Sequence, residues 1–69
     1  MNKNIIKNKL IKKYVENLQK FGYPEVNSEN ILTDYVYSNF FKSILEDSLN
    51  SNISEEIKEA ITDLLNEIN

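Results

Sequence analysis

Acid–base catalysis, phosphate contact and aromatic docking are the kinds of chemistry that the side chains of this 69-residue chain could offer. Its carboxylates recur in pairs: Glu55 with Glu59, Asp63 with Glu67, and Glu46 beside Asp47. Two carboxylates act as acid and base only where their surroundings separate their pKa values, and all three pairs fall on helix faces expected to meet solvent. Nucleophilic catalysis is no better served. A Ser, Thr or Lys nucleophile needs a neighbouring base, usually histidine, and the chain has neither histidine nor cysteine. Their absence removes disulfides and soft-ligand metal sites as well. The single glycine, Gly22, belongs to no phosphate-binding or calcium-binding loop. The expectation is a chain that is not an enzyme and needs no cofactor or metal.

Aromatics are the second resource. Residues 20 to 45, KFGYPEVNSENILTDYVYSNFFKSIL, hold six of the seven: Phe21, Tyr23, Tyr35, Tyr37, Phe40 and Phe41. At 100° per residue Tyr37, Phe40 and Phe41 point inward with the aliphatic residues, and Phe21 joins the apolar arc of the preceding helix. Tyr35 differs, because it falls on the polar side with Asn39, Lys42 and Glu46. An aromatic, an amide and both signs of charge on one face suit a partner contact, and the competing explanation is that Tyr35 covers the helix end. Ile5, stranded on a polar face near the N-terminus, is a second contact candidate.

The third resource is lysine. Residues 1 to 20 carry six lysines against Glu16, a charge of +5, and residues 21 to 69 carry two lysines against ten acids, a charge of −8, which together give the net −3. Lys9, Lys12, Lys13 and Lys20 could neutralise phosphates along about 16 Å of helix, with Asn8 and Asn17 near enough to touch bases. That alternative, a small nucleic-acid-binding regulator, lacks the arginine that reads guanine. The same lysines could instead be solvated, or complemented by the acidic outer face of the last helix.

The elements that must position these groups are helical, and the expectation is an all-α three-helix bundle forming one domain over 1–69. Leu10, Ile11, Tyr14, Val15, Leu18 and Phe21 form the apolar arc of a first helix, about residues 5–21. Gly22 can close it in the left-handed conformation, Tyr23 can fold back on Leu18, and Pro24 prevents continuation. Lys3 and Lys7 fall on the apolar arc, so the first turns are expected to fray. The 22–32 connector carries a possible extra helical turn, started by Asn27 or Ser28 and turning Ile31 and Leu32 inward. A second helix, about 33–49, is capped by Thr33 or Asp34. Its apolar residues, from Val36 to Leu49, cover half its circumference, which predicts a central helix with several neighbours. Ser54 caps a third helix, about 54–68, whose stripe is Ile57, Ala60, Ile61, Leu64, Leu65 and Ile68.

A body of this size buries little core and ordinarily relies on a staple or a partner, so a homo-oligomer is expected. The longest apolar run is Tyr35-Val36-Tyr37; neither a signal peptide nor a membrane span is expected, and the cytoplasm is the expected location. The stretch FGYPEVNSENILTDYVYSNFFKSILEDSL, residues 21–49, resembles short uncharacterised phage and prophage proteins of low-G+C bacteria. The resemblance implies a protein that acts by binding and altering a larger host or viral protein, defence complexes included. It transfers no functional residue.

Overall fold

The computed structural model describes residues 2–68, and within them the chain is all-α. Helix α1 runs Lys3–Lys20, α2 is the single turn Asn30–Thr33, α3 runs Tyr35–Leu49 and α4 runs Glu55–Glu67. At 1.5 Å per residue α1 is about 27 Å long, nearly the 31 Å long dimension of the body.

The beginning of α1 departs from expectation. Its first turn is formed: the Asn2 side chain accepts a hydrogen bond from the Asn4 N–H at 2.8 Å, capping the helix two residues before its expected start. Lys3 and Lys7 disturb the apolar arc because that arc faces α4, where both lysines find carboxylates; Ile6, one turn along, is buried. The end of α1 follows the sequence signal. Gly22 has φ 110°, its N–H donates to the Gln19 carbonyl, and the Tyr23 N–H reaches back to Leu18 O at 3.0 Å, the bonding pattern of a Schellman cap.

The connector is ordered by its asparagines. The Asn27 side-chain oxygen accepts from the N–H groups of Glu29 and Asn30, both at 2.9 Å, while the Asn30 side-chain oxygen accepts from Asn27 N–H at 2.7 Å. Gln19 Nε2 donates to the Val26 carbonyl at 3.0 Å and ties this loop to α1. Asn27 thereby starts the extra turn, and the turn buries Ile31 completely.

Asp34 then serves two helices. Its N–H closes α2 on Asn30 O, and its carboxylate caps α3 by accepting from Val36 and Tyr37 N–H. Ser54 caps α4 by accepting from Ile57 N–H. One continuous core joins all four helices and the loop: Leu18, Val26, Ile31, Phe41, Leu45, Ile61, Leu64 and Ile68. Tyr14 of α1 meets Phe41 of α3 across it, with ring centroids 5.7 Å apart. Helix α4 packs against both α1 and α3, whereas α3 rests chiefly on α2 and α4.

Candidate functional site

The aromatics divide differently from the helical-wheel expectation. Phe41 is fully buried, but Phe40 is 42% exposed, Val36 50%, Tyr35 81% and Phe21 82%. For Phe21 the reason is local: α1 ends at Lys20, so Phe21 occupies the cap, where the chain is already turning toward Gly22. For Val36 and Phe40 the reason is the size of the body. An apolar arc spanning half a helix needs neighbours on both sides, and α2 and α4 cover only the side that carries Phe41 and Leu45.

These residues build a groove between the end of α1 and the outer side of α3. Leu18, Phe21, Tyr23, Phe40, Ser43 and Ile44 line a concavity of about 410 Å³. Tyr23 is its fixed wall. The Gly22 turn projects it onto α3, where its ring sits 5.7 Å from Phe40 and 5.9 Å, edge-on, from Tyr37, and it also packs against the core that contains Leu18. Val36 lies one turn before Phe40 on the same side of α3.

The contact strip expected on α3 flanks this groove. Tyr35, Asn39, Lys42 and Glu46 are all exposed and follow one another at spacings of four, three and four residues, which keeps them on one face. Ile5 is 48% exposed but lies on the outer side of α1, on a different helix from this strip. The aromatic groove itself is the feature that the wheel reading missed. Its signal in the sequence is the excess width of the α3 apolar arc, more than the neighbours of α3 cover.

The charges separate into paired and unpaired groups. Lys3 Nζ lies 2.8 Å from Asp63 Oδ2, and Lys7 Nζ lies 2.6 Å from Glu67 Oε2 and 3.9 Å from Asp63 Oδ2. The hydrogen bond from Lys3 holds the Asp63 carboxyl below its ordinary value of 3.8, and the same bond raises the Lys3 ammonium above 10.5. Asp63 and Glu67 therefore act as ion-pair partners of α1, and the lowered pKa of Asp63 is the opposite of what a proton-donating carboxyl requires. Glu46, Asp47, Glu55 and Glu59 are solvent-exposed. Among the described residues, no group of three or more His, Cys, Asp or Glu is placed to hold a metal ion, and no helix is long and apolar enough to cross a membrane.

Lys9, Lys12, Lys13 and Lys20 are exposed, and none makes an ion pair within the described residues. They do not form a single row. Lys9 and Lys13 border a concavity shared with the start of α4, whereas Lys12 borders another with Asn8, Gln19 and Asn27. Asn17 is partly buried on the opposite side of α1 from Asn8, so the two amides proposed for base contacts do not meet one ligand together. Compared with known proteins, the chain matches no family model, no curated protein and no solved structure.

Proposed function

We propose that this protein is a non-catalytic binding module that engages a larger protein through the aromatic groove and the adjoining face of α3. One observation carries the reading: among the described residues, exposed Phe21 and Phe40 line one groove, and Tyr35 and Val36, also exposed, lie in the first turn of the helix that forms its α3 side. An exposed apolar patch rimmed by polar residues is the usual mark of a protein-interaction surface, and aromatic anchors supply most of the energy at such surfaces. Asn39, Lys42 and Glu46 provide the polar rim.

All four of these residues lie in the stretch 21–49 that resembles phage and prophage proteins. An inhibitor or modulator of a host complex, such as a defence system, is accordingly the partner relationship we propose. Self-association belongs to the same reading, since two copies meeting at this face would bury surface that the small core leaves exposed.

The test pairs the double variant Phe21→Ser/Phe40→Ser with Tyr35→Ala in affinity capture from nuclease-treated host lysate at physiological salt. The expected result is a stoichiometric protein captured by the native chain and lost with the variants, while circular dichroism stays unchanged. Capture that persists with all three substitutions would remove this face from the proposal. Sedimentation over a concentration series, with the same variants, reads self-association separately.

A further inference from the structure

A second concavity, of about 370 Å³, lies where the first half of α1 meets the start of α4. Its lining is almost wholly apolar, supplied by Ile6, Leu10 and Ile57, with Lys9 and Lys13 along the α1 edge. We infer that this groove docks an acidic amphipathic segment of a partner protein, with the segment's apolar side on Ile6, Leu10 and Ile57 and its carboxylates against Lys9 and Lys13.

Three observations on charge carry the inference. Lys3 and Lys7, nearer the start of α1, are already engaged by Asp63 and Glu67, whereas Lys9 and Lys13 meet no carboxylate of the described residues within ion-pair distance. Lys13 Nζ sits over the Tyr14 ring, 5.5 Å from its centroid, a cation–π arrangement that leaves the ammonium open to an anion. Lys9 and Lys13 stand four residues apart, and Lys20 follows seven residues later on the same edge, so the strip continues beyond the groove. Like charges four apart repel, and an incoming carboxylate relieves that repulsion.

The chemistry of the lining chooses among anions. A phosphate backbone gains nothing from Ile6, Leu10 and Ile57, while an amphipathic helix gains the burial of its own apolar face. The α4 side of the groove carries the carboxylate of Glu56 beside Ser54, which opposes negative charge there and confines the acidic edge of the occupant to the lysines of α1.

The experiment is a displayed library of short helical peptides, randomised on one face, selected against the immobilised full-length protein and in parallel against Lys9→Glu/Lys13→Glu. The expected winners on the native chain carry apolar residues at i, i+3 or i+4 and i+7, with Asp or Glu on one flank. Their affinity should fall by at least about tenfold with the lysine reversal and stay constant with Phe21→Ser/Phe40→Ser. The inference is overturned if no peptide is enriched, if the winners lack acidic residues, or if the lysine reversal leaves them bound. Tighter binding of single-stranded DNA, falling steeply between about 50 and 200 mM salt, or of laurate, would also overturn it and assign the lysines to phosphate or acyl-carboxylate binding. Because the two sites use different variants, failure of this inference leaves the aromatic-face proposal standing, and the reverse also holds.

Discussion

Gly22 is the residue whose identity the backbone most directly dictates. Its φ of 110° is one that a side chain rarely adopts, yet nothing lies within 4 Å of where a Cβ would stand. The penalty for Gly22→Ala is therefore conformational, about 1–2 kcal/mol, and chemical denaturation should show it as a lowered midpoint with unchanged slope. Because this turn also positions Tyr23 against Phe40, the substitution should weaken the proposed partner binding beyond its effect on stability. The Lys3–Asp63 pair makes a prediction in pH. Asp63 is depressed on folding, so its stabilisation is complete above the ordinary carboxylate value of 3.8 and is lost as pH falls through its folded value; Lys3 is raised, so its share is complete below 10.5 and lost as pH rises through its folded value. Thermal melts of the native chain and Asp63→Asn should differ near neutrality and converge in acid. Both groups face solvent, so added salt should shrink the difference.

Helix starts and stops were legible because they are written in side chains that bond the backbone. Asp34, Ser54 and Gly22 each sit where their cap chemistry places them, and Asn27 starts the extra turn as one of the two residues expected to. The faces were less legible. Periodicity states which residues share a side of a helix, but not how much of that side the remaining chain can cover. Phe40 and Phe41 are adjacent and chemically identical, and only the arrangement of neighbours makes one surface and the other core. Their substitutions should diverge accordingly. Phe41→Ala removes a fully buried ring in contact with Tyr14 and should cost about 3–5 kcal/mol, whereas Phe40→Ser should leave the melting temperature within a few degrees of the native chain. Equal destabilisation by the two would mean that Phe40 is core after all. The pairing of Lys3 and Lys7 was also hidden, because a wheel that marks them as misplaced carries no information about the carboxylates waiting on another helix.

At the scale of the molecule, a chain of this length has about 3–10 kcal/mol of stability to lose, so a single buried ring is a large fraction of the total. The same small size explains why so much apolar surface stays outside. Four helical segments enclose one core, and among the described residues no element covers the apolar flank of α3. The packing of α1 against α4 carries a different consequence. Of the four helices, α1 is synthesised first and finds its principal partner in α4, synthesised after the other three, so while the chain emerges from the ribosome the apolar arc of α1 has only part of its eventual surroundings. Closing that long loop is an entropic step that must wait for translation to pass residue 67. Until then α2, α3 and the connector before them can collapse on their local contacts, and α1 is held in reserve, open to any chaperone or partner that reaches it before α4 does.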